Sequence, residues 1–355
     1  MKAAIVGCGR MGWLFDEDPL TKKPSTHAGA YTLYEKTDLV AACDINTTRL
    51  NKMCDKYDIP GRYTDYREML DKEDIDILSI CTHNHYQICM DATKKKGLKA
   101  IFCEKPLAYN LKEAEEMVHA CKENNILLTV DHTRRWDSTF MKIRELVKEG
   151  TIGKIQTVKG FCTVGWMNGG THLFDLLRYY LGDVDWVQGH IQPDPSTDPG
   201  GRAVLKFKNG VMCFVDSTWK DYVYVGADLI GEKGIIEGSG MIRSEQGIRV
   251  RKAVPSKGES GVYELEEQDI DSPEWQPPLI RALEDIIEGI EHNKQTLCSG
   301  EDGKAAVEIA LAIHESHNGG NVPIHLPLRN KELIVKSRFT SFTRDGEPLE
   351  VKYAE

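Results

Sequence analysis

Short apolar runs alternate with longer amphipathic stretches over the first 130 residues. The apolar runs have the length of β-strands and are nearly continuous: AAIV, LVAAC, IDILSIC, KAIFC and ILLTV. The stretches between them, such as NTTRLNKMCDKYDI and LKEAEEMVHACKENN, carry apolar residues at helical spacing. Continuous apolar strands that alternate with helices are typical of a parallel sheet covered by helices on both faces. The pattern therefore predicts a doubly wound α/β domain.

The first predicted strand leads into a glycine-rich turn. The sequence AAIVGCGRMG places Gly7, Gly9 and Gly12 in a G-x-G-x-x-G pattern between this strand and a predicted helix. In this pattern the glycines permit a tight turn, close approach of a pyrophosphate and close packing of the helix on the strand. Backbone N–H groups at the helix start face the anion, and we assign Arg10 and Met11 to the cofactor with the turn. A purely structural glycine turn is the alternative.

An acidic residue ends the second predicted strand. Asp44 follows LVAAC, where a carboxylate accepts hydrogen bonds from the ribose hydroxyls of NAD and repels the 2′-phosphate of NADP. Ile45 follows, where an NADP site would often carry Arg or Ser, so we expect NAD and regard NADP as less favoured. Asp44 lies 32 residues after Gly12 instead of the usual ~20. Trp13–Thr26 therefore reads as an insertion, either a flap over the nucleotide or a plain surface loop.

Composition and charge narrow the class of protein. The 355 residues, enough for two domains, include 55 acidic and 45 basic side chains, which give a net charge of −10. An acidic chain without a basic run gives no electrostatic reason to expect nucleic-acid binding. No stretch approaches the ~18 apolar residues of a membrane span. The ten cysteines form no C-x-x-C pair, which argues against a zinc or redox motif and favours free thiols in the cytoplasm. We expect no metal site and no membrane partner.

Three further motifs point to a family. FCEKPLA spans residues 102–108, CTHNHYQ spans 81–87, and NGGTHLFDLLRYYLG begins at Asn168. With the glycine turn, they make the chain resemble the glucose-fructose oxidoreductase / inositol dehydrogenase / rhizopine catabolism (Gfo/Idh/MocA) family over nearly its whole length. The resemblance implies an NAD-binding Rossmann domain, here residues 1–130. It also implies a substrate-binding and oligomerisation α/β domain, here residues 131–355, whose large, open, mainly antiparallel sheet joins a homodimer or homotetramer.

The later sequence agrees with this architecture independently of the resemblance. The stretch RAVLKFKNGVMCFVDSTW reads as two strands joined around Lys208-Asn209-Gly210. An Asn-Gly pair between two alternating apolar runs is a strong hairpin signal.

The resemblance also assigns roles to individual residues. The family's E-K-P lysine, here Lys105, hydrogen-bonds the substrate hydroxyl and stabilises alkoxide character as hydride leaves, while Glu104 holds it in place. His172 matches the family's catalytic histidine, which accepts the hydroxyl proton. Asp175, one turn later, either orients His172 or caps a neighbouring group. Sugar and inositol dehydrogenases usually carry an aspartate where this chain has Asn168, which hydrogen-bonds a sugar hydroxyl but cannot act as a base.

Weaker matches extend the candidate site. The resemblance assigns three residues to ribose and nicotinamide contacts: Thr82, Asn84 and His85. His27 follows the insertion and either faces the pyrophosphate or caps a helix. The neighbours Arg134 and Arg135 either bind a carboxylate or phosphate of the substrate or brace the two domains. Trp166 either stacks on a sugar or packs in the core.

Together these features predict an NAD-dependent oxidoreductase. It would transfer a hydride between a hydroxyl carbon of a sugar, sugar derivative or cyclitol and the nicotinamide, with Lys105 and His172 handling the hydroxyl proton. Two alternatives share this fold. One is a glycosidase that works by transient oxidation and elimination with recycled NAD, and the other is a non-catalytic NAD(P)-binding sensor. A dehydrogenase makes one NADH per product, whereas the glycosidase makes none.

Overall fold

A computed structural model describes residues 1–163, 165–192, 198–218, 224–239, 248–271, 273–336, 341–342 and 348–349. The first 130 residues form six strands: β1 Lys2–Val6, β2 Asp38–Cys43, β3 Gly61–Tyr63, β4 Ile77–Ile80, β5 Ala100–Cys103 and β6 Leu127–Val130. Five of them coincide with the apolar runs, whereas β3, with the sequence GRY, lies outside those runs. All five pairings are parallel, in the order β3-β2-β1-β4-β5-β6. The predicted doubly wound sheet is confirmed.

Helices connect these strands: α1 His27–Leu33, α2 Thr47–Lys56, α3 Tyr66–Lys72, α4 His85–Ala92 and α5 Leu111–Glu123. The side chains of Asn46, Asp65 and Asn110 accept hydrogen bonds from backbone N–H groups in the first turns of α2, α3 and α5. Such caps satisfy donors that a helix leaves free at its start. The apolar faces predicted for α2 and α5 lie on the sheet, with Met53 and Met117 fully buried.

The helix after the glycine turn begins at His27, directly beyond the insertion that the sequence indicates. Trp13–Thr26 lies between the turn and α1 and contains a 3₁₀ turn, Leu14–Glu17. The backbone N–H of His27 donates to the carbonyl of Met11 at 3.0 Å, so α1 continues the turn that the insertion interrupts. The insertion is anchored, because Trp13 is buried and buried Asp16 accepts hydrogen bonds from Ser25 and Thr26.

A second sheet follows, with nine strands: β7 Ile155–Cys162, β8 Val184–Ile191, β9 Gly201–Phe207, β10 Met212–Asp216, β11 Val225–Gly231, β12 Gly234–Ser239, β13 Arg249–Pro255, β14 Tyr263–Gln268 and β15 Ile324–His325. Their order is β14-β13-β12-β11-β7-β10-β9-β8-β15, and only β7 and β10 pair in parallel. The predicted mainly antiparallel sheet and the β9–β10 hairpin are confirmed. The short strands β16 Ser341–Phe342 and β17 Pro348–Leu349 pair separately.

Four more helices complete the described chain: α6 Ser138–Lys148, α7 Thr171–Leu181, α8 Pro278–His292 and α9 Gly300–Asn318. Helices α7 and α9 cover one face of the second sheet, where Gly160 lies under Leu173 and Gly189 under Ile313. Phe214 lies on the other face, 51% exposed. Within the described residues no helix combines the length and apolar character that crossing a bilayer requires.

The chain returns to the first sheet after completing most of the second. The N–H of Val130, at the end of β6, donates to the carbonyl of Cys298 at 3.0 Å, and the hydroxyls of Thr129 and Thr296 lie 3.0 Å apart. A Cβ on Gly303 would lie 2.5 Å from the side chain of Val130. Residues of the second half thus complete the packing of the nucleotide-binding sheet.

Candidate active site

The three glycines of the first turn occupy different environments. Gly7 has φ +105°, and a Cβ there would lie 2.6 Å from the carbonyl oxygen of Cys81. A Cβ on Gly12 would lie 2.2 Å from the carbonyl oxygen of Gly7. Gly9 has nothing within 4 Å of its Cβ position. Packing therefore requires glycine at positions 7 and 12, whereas the space beside position 9 is open.

The carboxylate of Asp44 is fixed beside this turn. It is 8% exposed and accepts hydrogen bonds from the backbone N–H groups of Cys8 at 2.8 Å and Asn46 at 2.7 Å. Arg49, which sequence reasoning missed, lies 3.3 Å from the same carboxylate. Ile45 is 89% exposed and offers an apolar surface next to Asp44.

Arg10 lies at the same turn and is stacked on the insertion. Its guanidinium lies 4.5 Å from the ring centre of Phe15, and burial lowers its pKa. Thr82 and Asn84 follow β4 at the carboxyl edge of the sheet, where open α/β sheets bind ligands. His85 is buried instead, with Nδ1 2.9 Å from the carbonyl oxygen of Pro106. It therefore holds the loop that carries Lys105.

Lys105 joins the two halves of the chain. Its Nζ donates to Oδ1 of Asn168 at 2.7 Å. Asn168 lies in a π-helical turn, Trp166–Gly170, just before α7. The carboxylate of buried Asp198 accepts the backbone N–H groups of Met167 and Asn168, both at 2.8 Å, and so fixes this turn. Sequence reasoning missed Asp198, because no local pattern links it to Asn168.

A buried polar cluster lies behind Lys105. The Nε2 of His27 lies 3.3 Å from Glu104 and 3.5 Å from Asp131, while its Nδ1 lies 2.8 Å from the hydroxyl of Ser79. Burial lowers the pKa of His27, but Cys81, Asp131 and Glu104 outweigh burial and hold it well above its usual value. His27 thus faces Glu104, not the pyrophosphate or a helix cap.

The same cluster brings ligand atoms within 4.8 Å of one another, a spacing that could hold a metal ion. A protonated His27 offsets one of the two carboxylate charges without a metal ion. Burial, then the charge of Glu104, raises the pKa of Asp131, whereas contact with His27 overcomes burial and lowers that of Glu104. The expected absence of a metal stays a prediction.

Two imidazoles meet beside Lys105. The rings of His172 and buried His132 contact edge to face, with centres 5.4 Å apart. Burial lowers the pKa of His132 to about 4. Burial, then the charges of Lys105 and Arg134, holds the pKa of His172 well below its usual value. His172 is therefore neutral at neutral pH.

Burial also lowers the pKa of Lys105, and Arg134 adds to this effect against the opposing charge of Glu104. A lysine held in this way keeps its ammonium proton less tightly than one in water. It is suited to donate a hydrogen bond, or its proton, to a substrate oxygen.

Comparison with known proteins identifies the family. Residues 1–132 match the GFO/IDH/MocA model, described as an oxidoreductase family with an NAD-binding Rossmann fold, and residues 140–237 match the GFO/IDH/MocA C-terminal domain. The chain belongs to the GFO/IDH/MocA oxidoreductases. Its relatives include the myo-inositol 2-dehydrogenase of Thermotoga maritima, 26% identical over 89% of this chain and 96% of that protein.

Solved structures agree with this fold. The WlbA dehydrogenase from Bordetella pertussis, in complex with NADH and UDP-GlcNAcA, has a TM-score of 0.73 and 21% identity, covering 92% of this chain and 99% of that one. A levoglucosan dehydrogenase in complex with NADH and L-sorbose has a TM-score of 0.75 and 20% identity at the same coverage, 92% and 99%.

Within this GFO/IDH/MocA site, Arg135 and Asp175 face each other. The guanidinium of Arg135 donates to both oxygens of Asp175, at 2.8 and 2.7 Å, and to Asp302 at 3.0 Å. Asp175 therefore pairs with Arg135 and does not orient His172. Because Arg135 also binds Asp302, it connects helices α7 and α9. This arrangement gives no support to the substrate contacts expected for these two residues.

Trp166 is also committed to the interior. It is 0% exposed and stacks on Phe174 with ring centres 5.8 Å apart and planes 18° apart. Core packing, the second alternative for this residue, accounts for these contacts. Its Nε1 has no hydrogen-bond partner among the described residues.

Proposed function

We propose that this GFO/IDH/MocA protein is an NAD-dependent dehydrogenase of a sugar, sugar derivative or cyclitol. The observation that carries the proposal is the meeting of Lys105, Asn168 and neutral His172 at the carboxyl edge of the nucleotide-binding sheet. The open position at Gly9 and the fixed carboxylate of Asp44 suit a dinucleotide. The names of the relatives, which include inositol and levoglucosan dehydrogenases, support this substrate class.

The residues divide the work on the hydroxyl group. Lys105 donates a hydrogen bond to the hydroxyl oxygen and stabilises the negative charge that develops there. His172 accepts the hydroxyl proton on its imidazole, so the C–O bond becomes a carbonyl as the hydride leaves carbon. Asn168 holds Lys105 and offers its amide to a neighbouring hydroxyl. The nicotinamide, when bound, supplies the hydride acceptor.

NAD is the cofactor we favour over NADP. The carboxylate of Asp44 lies at the end of β2, where it would accept ribose hydroxyls and repel a 2′-phosphate. Arg49 contacts Oδ1 of this carboxylate at 3.3 Å, and its side chain is 46% exposed.

We also propose that two copies associate through the outer face of the second sheet. This face carries exposed Phe214 and a concavity of about 620 Å³ lined by strands β7 to β10. The concavity lies away from Lys105 and His172, so pairing would leave the site open. With all ten cysteines free, and nine of them buried, we assign the protein to the cytoplasm.

The test is formation of reduced nicotinamide, followed by its absorbance, with sugars, sugar acids and inositols. One NADH per product, lost in Lys105→Ala, is the expected result. Product release without net NADH would instead establish the redox-assisted glycosidase. Tight NAD binding without turnover of any compound would establish a sensor. Phe214→Lys serves as a control outside the site and tests association by light scattering.

A further inference from the structure

The adjacent residues Arg134 and Arg135 have opposite environments. Arg135 has carboxylate and carbonyl partners on three sides: Asp175, Asp302 and the carbonyl of Leu297. Arg134 is 7% exposed, yet its Nε and Nη1 have no hydrogen-bond partner among the described residues. A buried guanidinium stays charged and is costly to leave unpaired. Two buried N–H groups of Arg134 therefore have no acceptor among the residues that the structure describes.

The acidic groups around Arg134 are all engaged elsewhere. Asp137 caps α6 by accepting the backbone N–H of Thr139, and Asp175 is held by Arg135. The remaining contact over its guanidinium is the ring of Phe140, at 5.9 Å. Neither carboxylate neutralises Arg134 directly.

Lys105 and Arg134 bring two positive charges to the substrate side of the site, where Asp198 is held by the backbone N–H groups of Met167 and Asn168. Arg134 lies within electrostatic range of both Lys105 and His172. Position 168 is a neutral asparagine and adds no negative charge beside Lys105. Glu104 and Asp131 face His27 behind the lysine and not Arg134.

Other polar atoms around this position are also unsatisfied. Both ring nitrogens of His132, Nδ1 of His172 and the hydroxyl of Tyr180 are buried without a partner among the described residues. Buried polar atoms in folded proteins nearly always have partners. Their concentration around Arg134 and Lys105 indicates the place of a polar ligand.

We propose that the substrate is a hydroxy acid of the sugar type, whose carboxylate binds Arg134 while the hydroxyl to be oxidised lies at Lys105 and His172. The proposal rests on the proposed function. The carboxylate takes no part in the reaction, in which the hydroxyl proton passes to His172 and the hydride to NAD. Lys105 is committed to the hydroxyl, so Arg134 is the cation that remains for the acid group. One guanidinium matches the charge of a carboxylate monoanion but only half the charge of a phosphate dianion.

The experiment compares acids with their neutral counterparts. Values of kcat/KM are measured with NAD for D-gluconate against D-glucitol, D-glucuronate against D-glucose, and a sugar phosphate, D-glucose 6-phosphate. Binding of the same probes to the NAD-loaded protein is measured by calorimetry. The variants are Arg134→Gln and Arg134→Lys. Arg249→Gln is the matched control, because Arg249 is exposed on β13 and its loss changes the net charge equally.

We expect at least one acid to exceed its neutral counterpart by about 30-fold or more, the range of a charge-assisted hydrogen-bonded pair. Arg134→Gln abolishes this preference, Arg134→Lys retains part of it, and Arg249→Gln leaves it intact. Preference for the neutral compounds or the phosphate, or a preference that survives Arg134→Gln, overturns the inference. Acid binding that needs Arg134 but yields no NADH would support the inference and refute the proposed function.

Discussion

Lys105 donates a hydrogen bond to Oδ1 of Asn168 at 2.7 Å, across the junction of the two sheets. The bond couples the loop after β5 to the turn before α7. Asn168, which holds the lysine, therefore lies in the turn that leads directly into the helix carrying His172. An amide at this position orients the ammonium without neutralising it. The protonation of Lys105 and His172 thus depends on the absence of charge at position 168.

Asn168→Asp is the first prediction. A carboxylate beside Lys105 and His172 raises the pKa of both groups, so we expect the acid limb of the pH profile of kcat/KM to move up by about one pH unit. Affinity for carboxylate substrates should fall about tenfold, because the new charge repels them. Asn168→Ala removes the hydrogen bond without adding charge and is the control. An equal shift of the limb in both variants would contradict an electrostatic cause.

The glycines of the first turn give the second prediction. Gly9→Ala adds a methyl group to open space, so we expect an unchanged melting temperature and at least about a tenfold weaker affinity for NAD. Gly12→Ala places a methyl group 2.2 Å from a carbonyl oxygen and should destabilise the fold by about 1–3 kcal/mol. Thermal unfolding and NAD titration by fluorescence measure both. Normal NAD affinity in Gly9→Ala would argue against the phosphate cradle.

Cofactor choice is the subject of the third prediction. Asp44→Ser keeps an acceptor for the N–H of Cys8 but removes the charge, so the ratio of kcat/KM for NADP to that for NAD should rise at least about tenfold. Freed from Asp44, Arg49 becomes available to a 2′-phosphate. Adding Arg49→Ala to Asp44→Ser should reverse part of the gain. If the ratio stays at its wild-type value in Asp44→Ser, Asp44 does not set the preference.

The fourth prediction concerns pH and stability. His132 has a pKa of about 4 in the folded chain, against 6.5 for an unperturbed imidazole. Between these values the unfolded chain binds more protons, so the free energy of unfolding decreases as pH falls through this window. Relative to pH 7, His132 should cost about 2 kcal/mol at pH 5.

Urea unfolding of the wild type and His132→Asn at pH 7 and pH 5 measures this contribution. The variant should lose less stability than the wild type when the pH is lowered. His119→Asn, at an exposed site on α5, controls for the loss of one histidine. An equal loss in the wild type and in His132→Asn would show that His132 does not titrate as proposed.

Much of the fold follows from local pattern. The parallel sheet and the glycine turn follow from nearly continuous apolar runs, from amphipathic periodicity and from glycine spacing, all of which act over a few residues. The hairpin around Asn209-Gly210 is equally local. The insertion Trp13–Thr26 was also visible in the sequence, but the resumption of the interrupted hydrogen bonding between His27 and Met11 was not.

The site depended on contacts between distant residues. Lys105 and His172 could be named from motifs. The hydrogen bond by which Asp198 holds Asn168, however, joins residues that are 30 positions apart in the chain. Arg134 and Arg135 are adjacent residues of the same type, so the sequence alone does not distinguish their roles. Only the packing of α7 and α9 around Arg135 separates a bracing residue from an unpaired one.

The return of the chain to β6 has a practical consequence for protein engineering. Leu128 and Val130 on the last strand of the first sheet pack against Gly300 and Gly303 of α9, where a Cβ would meet them at 2.6 and 2.5 Å. A chimera that joins residues 1–130 to a foreign catalytic half would lose these contacts between β6 and α9 and expose apolar surface. The cofactor half is therefore not an exchangeable cassette, and a transplant must carry the segment around 296–303 with it.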